Sequence, residues 1–169
     1  MPARDLPAAA NVDVLRQGIE LLTRLDDTTF RHAIGPQLRH TLDFYASFLR
    51  GLVTRRIDYD TRERDPLVES SRRIARERFA AVIAALEQIG EEQTAQPVEV
   101  RTEADTLAPG APEWCRSSVR RELQFLLSHT VHHNALVKEM LRARGHAIGD
   151  DFGVAPSTLG HRARLACAR

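Results

Sequence analysis

Three histidines occupy five consecutive positions late in the chain, at His129, His132 and His133. The apolar spacing around them, from Glu122 to Leu136, predicts a helix. At about 100° per residue, His129 and His133 lie roughly 40° apart on the apolar face, whereas His132 turns toward the polar edge. A lone histidine on such a face is usually a hydrogen-bonded core residue. Two imidazoles one turn apart can bind the same metal ion, so the pair predicts two ligands of a metal site.

Glu122 shares this stripe about two turns before His129. Its carboxylate can orient a histidine, act as a base on bound water, or pair with an arginine. The charged segment from Val53 to Asp65 shows no helical stripe, so it is either a solvated loop or part of the site. In the second case Tyr59, Arg62 and Arg64 would line the site, with a phenol and with guanidinium groups that suit a carboxylate or phosphate. Glu122, Tyr59 and Arg62 are therefore the candidate catalytic residues.

Four segments with apolar residues at three- and four-residue steps predict the helices that position these side chains. They run from Asn11 as N-cap to about Leu25, from Gly35-Pro36 to about Leu52, from Asp65-Pro66 to Gly90, and from Ser117-Ser118 to about Arg144. His40 lies at the border of the apolar face of the second helix. That position suits a ligand at the mouth of a cleft, although a surface histidine is the alternative.

The segment 91–116 is broken by Pro97, Pro109 and Pro112, and we expect a long crossover rather than a strand. The chain is therefore predicted to be an all-α four-helix bundle with crossover connections, in one domain over 1–169. We expect the tail 146–169 to pack on the bundle through Phe152. In such a bundle His40 would meet the two histidines of the fourth helix.

Three neutral imidazoles would leave a fourth position on the metal for water or substrate, as in catalytic zinc sites. Zn²⁺ is the expected metal, with Ni²⁺ or Fe²⁺ as alternatives, because imidazole suits all three. A fourth protein ligand, His132 or Glu122, would instead indicate a closed site.

Composition excludes several classes of partner. The chain of 169 residues carries 24 Lys and Arg against 23 Asp and Glu, spread along its length, so we expect no nucleic-acid partner. No segment has the length of apolar sequence that a signal peptide or membrane span needs, and a cytoplasmic protein is expected. Cys115 and Cys167 have no zinc-type spacing. An apolar helix face left over after packing would favour a homodimer.

The chain resembles the DinB/YfiT-like superfamily of metal-dependent enzymes. The resemblance is carried by Leu38-Arg39-His40-Thr-Leu-Asp43 on the second helix and by the cluster His129-Thr-Val-His132-His133 on the fourth. It implies a four-helix bundle with crossover connections and a three-histidine metal site at His40, His129 and His133. The segments Tyr59–Arg64 and Phe152–Thr158 resemble features of one subgroup of this superfamily.

Related branches include bacillithiol S-transferases and mycothiol-dependent isomerases, which implies a low-molecular-weight thiol as cosubstrate. The ergothioneine-type sulfoxide synthases read His-x-x-x-His-x-Glu at this helix, whereas this chain has Ala135 in place of the glutamate. We therefore expect a metal-dependent thiol S-transferase or hydrolase acting on a small molecule. The alternatives are a non-catalytic bundle that binds a metal or ligand, and a helical domain whose histidines bind nothing.

Overall fold

Four long helices run through the structure, a computed structural model that describes residues 7–101 and 114–167. They are α1 (Pro7–Arg24), α2 (Gly35–Thr54), α3 (Arg72–Leu86) and α4 (Val119–Arg142). Helices α1 and α2 each pack against both α3 and α4. The predicted all-α bundle is thereby confirmed. The first six residues and the predicted breakers Pro109 and Pro112 lie outside the described residues.

The start of α1 differs from the prediction. The helix begins at Pro7 and Asn11 lies inside it, so the prediction of Asn11 as N-cap was wrong. Asn11 is fully buried, where its side-chain amide donates to the carbonyl of Leu123 at 2.9 Å and its Oδ1 accepts from the Tyr45 hydroxyl at 2.7 Å. A buried polar group needs such partners. Asn11 therefore joins α1 to α2 and α4 instead of ending a helix.

Helix α2 follows a short helix, Asp27–Thr29, and a π-helical turn, Phe30–Ile34. A Cβ atom on Gly35 would lie 2.0 Å from the carbonyl oxygen of Glu69. Glycine at this position thus allows the backbone before α3 to approach the first turn of α2 closely.

The predicted third helix is divided in two. Asp65 caps a short helix, Pro66–Ser70, by accepting from the backbone N–H of Leu67 at 2.9 Å, as the Asp-Pro pair predicts. Ser71 then adopts an extended conformation and caps α3. The prediction of one continuous helix was wrong because Ser71 favours a new cap over continued helix, a local competition that apolar spacing does not show.

A small sheet lies beside the bundle, although no sheet was expected. Its strands are β1 (Arg56–Asp58), β2 (Pro97–Arg101) and β3 (Cys115–Ser118). Strand β2 pairs in parallel with β1, with Ile57 opposite Val100, and antiparallel with β3. The sheet buries Ile57, Val98 and Val100, and it anchors both the start of the Tyr59–Arg64 segment and the start of α4.

The tail crosses α4 before a last helix, α5 (Pro156–Cys167). The Lys138 ammonium donates to the carbonyls of Asp150 at 2.7 Å and Phe152 at 3.2 Å. Gly153 has φ of 70°, and a Cβ atom there would lie 2.6 Å from the backbone nitrogen of Ala135. Within the described chain, no helix combines the length and apolar character that a membrane crossing requires.

Candidate metal centre

Three histidines meet where α2 faces α4. His40 projects from α2, and His129 and His133 project from consecutive turns of α4. The ring centroids are separated by 5.1 Å between His40 and His129, 4.6 Å between His40 and His133, and 4.4 Å between His129 and His133. One nitrogen of each ring lies within 4.8 Å of the others. The structure therefore brings together the three histidines that the sequence selected.

His133 is oriented by Gln37, a residue that the sequence did not single out. Its Nδ1 lies 2.8 Å from Oε1 of Gln37 on α2. With the amide oxygen as acceptor, Nδ1 would carry the proton and Nε2 would keep its lone pair for a metal. The sequence held one clue to this contact. Gln37 precedes His40 by three residues, so the two side chains share a face of the helix.

His129 lies among aromatic rings. Its centroid is 4.1 Å from that of Phe44 and 5.7 Å from that of Phe125. Its Nδ1 is buried and has no hydrogen-bond partner among the described residues. Burial lowers the pKa of His129 to about 3, and the neighbouring His133 and His40 add to the shift. Burial, followed by His40 and His132, lowers the pKa of His133 to about 4.

These observations fit a divalent metal. A metal ligand must be a neutral imidazole, and His129 and His133 are neutral at physiological pH. A buried ring nitrogen without a partner is costly in a protein that binds nothing there. Three imidazole nitrogens from two helices match the ligand set of catalytic zinc sites. The cluster is thus compatible with a metal site.

No fourth protein ligand joins the group in the described parts of the chain. His132 is exposed, and its ring meets the edge of His133 at 5.3 Å between centroids. Glu122 is fully buried elsewhere, where its carboxylate accepts from the Tyr59 hydroxyl at 3.0 Å, from Arg121 at 2.9 Å and from Ser117. Of the three roles considered for Glu122, pairing with an arginine is the arrangement observed.

Phe44 contacts Tyr59 and Arg62 as well as the histidines. The buried Tyr59 ring stacks on Phe44 at 5.2 Å, and burial together with the nearby Glu122 carboxylate raises the pKa of its phenol. The guanidinium of the half-buried Arg62 lies 4.6 Å from the centroid of Phe44. Phe44 in turn contacts His40 at 5.0 Å. Arg62 therefore lies at the edge of the histidine cluster. Tyr59 and Glu122 lie outside the cluster, behind the Phe44 ring.

Comparison with known proteins agrees with this architecture. Residues 18–137, more than half of the chain, match the DinB superfamily. The chain is also 30% identical over 105 residues to FK506-binding protein 5 of Rhizopus delemar, a match that covers 62% of this chain and 27% of that protein. The chain thus spans about a quarter of that relative's length. No solved structure was found to match it significantly. On the match over residues 18–137, the chain belongs to the DinB superfamily.

Proposed function

We propose that this protein is a metal-dependent enzyme acting on a small molecule, either a thiol S-transferase or a hydrolase. The observation that carries the proposal is the group of three histidine nitrogens within 4.8 Å, with no fourth protein ligand in the described residues. Structural zinc sites generally have four protein ligands, whereas catalytic sites keep one position for water or substrate. Zn²⁺ is the proposed metal, and Ni²⁺ or Fe²⁺ would suit the same imidazoles.

A divalent metal held by these histidines would lower the pKa of a thiol or water that reaches its open position. The protein supplies the surroundings for that chemistry. Phe44 and Phe125 line one side of His129 with apolar surface, which excludes water. Arg62 places a positive charge at the edge of the site, where it would bind and orient a negatively charged group of the substrate.

Tyr59 and Glu122 support the site from behind in this proposal. The bond from the Tyr59 hydroxyl to the buried Glu122 carboxylate joins the loop after β1 to the first turn of α4. Tyr59 then holds Phe44 in place by stacking, and Phe44 packs against His129. We assign both residues a positioning role and Arg62 direct contact with substrate. A low-molecular-weight thiol remains the cosubstrate that the family resemblance favours.

Metal analysis of the purified protein tests the site itself. We expect stoichiometric metal in the unsubstituted protein and its loss in His129→Ala and His133→Ala. His132→Ala is the matched control, because His132 lies one residue from His133 but outside the group, and it should keep its metal. Stoichiometric metal that survives both ligand substitutions would contradict the proposal.

An activity screen tests the reaction. Low-molecular-weight thiols with electrophilic acceptors represent the transferase, and small esters and amides represent the hydrolase. We expect one class to turn over, to stop on chelation and to recover when metal is added back. A protein that binds metal stoichiometrically but turns over neither class would instead support a non-catalytic metal-binding bundle.

A further inference from the structure

A cavity of about 390 Å³ opens at the start of α3, on residues that the histidine cluster does not use. Four arginines line it: Arg31, Arg72, Arg73 and Arg76. Asp27 is the one acidic residue among the residues that line it. The chain as a whole has nearly equal numbers of cations and anions. Positive charge is therefore concentrated at this cavity, whereas positive and negative residues are nearly equal in number over the whole chain.

Two of these guanidinium groups are held by backbone carbonyls. Nε of Arg31 donates to the carbonyl of Ser70 at 3.3 Å, and Nη1 of Arg72 donates to the carbonyl of Leu22 at 2.9 Å. A carbonyl positions a guanidinium without cancelling its charge. These bonds restrain two of the four guanidinium groups before any ligand arrives, which reduces the entropy lost on binding.

Acidic partners neutralise only two of the four arginines. Asp27 pairs with Arg72 at 2.6 Å, and Glu77 pairs with Arg73 at 2.6 Å on the exposed side of α3. In the described residues, the Arg31 side chain forms no ion pair, and the Arg76 side chain forms neither an ion pair nor a hydrogen bond. Neighbouring cations repel one another, and a bound anion would relieve that repulsion. The remaining guanidinium donors are available to such an anion.

We infer that this cavity binds the phosphate group of a small phosphorylated molecule. Guanidinium groups match phosphate oxygens through paired hydrogen bonds, and several of them converge here. The cavity volume falls within the range typical of small-molecule sites and exceeds what a lone phosphate needs. One concave site differs from the extended basic stripe that nucleic acids require. The site would therefore give this protein a second ligand, independent of the proposed metal chemistry.

Calorimetric titration at low salt with glucose 6-phosphate, and with glucose as the matched neutral probe, tests the inference. We expect saturable binding of the phosphorylated sugar and none of glucose. Arg31→Gln with Arg76→Gln should weaken binding by about tenfold or more, because hydrogen bonds to charged groups are lost. Arg116→Gln with Arg120→Gln removes the same charge from exposed arginines outside the cavity, and it should leave affinity unchanged.

Three outcomes would overturn the inference. The first is no saturable binding of glucose 6-phosphate by the unsubstituted protein, and the second is equal affinity in the two double variants. The third is binding that is lost in His129→Ala with His133→Ala but kept in Arg31→Gln with Arg76→Gln. Vesicles containing phosphatidic acid form a second arm. Binding to them without binding of glucose 6-phosphate would also overturn the assignment to a small molecule, in favour of a lipid headgroup. Thermal unfolding checks each variant. If the double variant unfolds, Arg76→Gln alone serves, because Arg76 is exposed and without partners in the described chain.

Discussion

Gln37 provides the most direct test of how the histidine cluster is built. Replacing Gln37 with leucine keeps a side chain of similar size and removes the acceptor that lies 2.8 Å from Nδ1 of His133. The ring can then place its proton on either nitrogen and rotate away from the position that faces the other two histidines. Removing such a partner typically weakens metal binding by about 10- to 100-fold.

The loss of metal affinity expected for Gln37→Leu lies near the lower end of that range. The bond joins two neutral groups and is partly buried, and such bonds contribute about 0.5 to 1.5 kcal/mol net. We therefore expect the dissociation constant for Zn²⁺ to rise about tenfold, which corresponds to about 1.4 kcal/mol. Gln37→Glu keeps an oxygen acceptor and adds negative charge, so it should bind the metal at least as tightly as the unsubstituted protein.

Competition with a chromophoric chelator measures these affinities. Gln124→Leu is the control, because Gln124 is an exposed glutamine on α4 outside the histidine group. Equal affinity in Gln37→Leu and the unsubstituted protein would refute the positioning role. Equal weakening in Gln37→Leu and Gln37→Glu would also refute it, since a hydrogen-bonding role requires the glutamate to restore affinity.

Three further predictions concern pH and stability. The pKa values of His129 and His133 are lowered to about 3 and about 4, so protons compete with metal at these two side chains only near and below those values. Metal content followed by atomic absorption should therefore persist as pH falls through about 6.5, the ordinary pKa of histidine, and decline near pH 4. Loss of metal already near pH 6.5 would contradict the lowered values. Tyr59→Phe removes a donor to the buried Glu122 and should lower the free energy of unfolding by about 1 to 3 kcal/mol in urea, with metal content unchanged. Gly153→Ala should release the tail, because φ there is 70° and the new methyl group would clash with α4. The expected readout is faster proteolysis after α4 than in Gly149→Ala, the control, where a Cβ atom meets nothing within 4 Å.

Local sequence determined the helical frame and most of the histidine cluster. Apolar spacing is a property of one segment, so the four helices and the shared face of His129 and His133 could be read directly. His40 required one further step, that its helix packs against the fourth, and the bundle prediction supplied it. The Asp65-Pro66 cap was equally local, since a cap needs only its own next few backbone groups.

The tertiary structure decided the features that depend on distant partners. Asn11 resembles an N-cap in sequence and is a buried link among three helices in the fold. Strand β1 has three residues, too few to show alternation, and it exists because β2 pairs with it from about 40 positions away. Glu122 shares the stripe of the histidines, yet a loop and a strand bring Tyr59 and Ser117 to its carboxylate.

The same distinction applies within the site. Spacing along one helix identified His129 and His133 as candidate ligands, because side chains one turn apart must be neighbours. Only packing of α2 against α4 could show that Gln37 reaches Nδ1 of His133 and that Phe44 contacts both Arg62 and the histidines. Residue types and helical periodicity act within a segment, whereas hydrogen bonds and burial between segments exist only once the chain has folded.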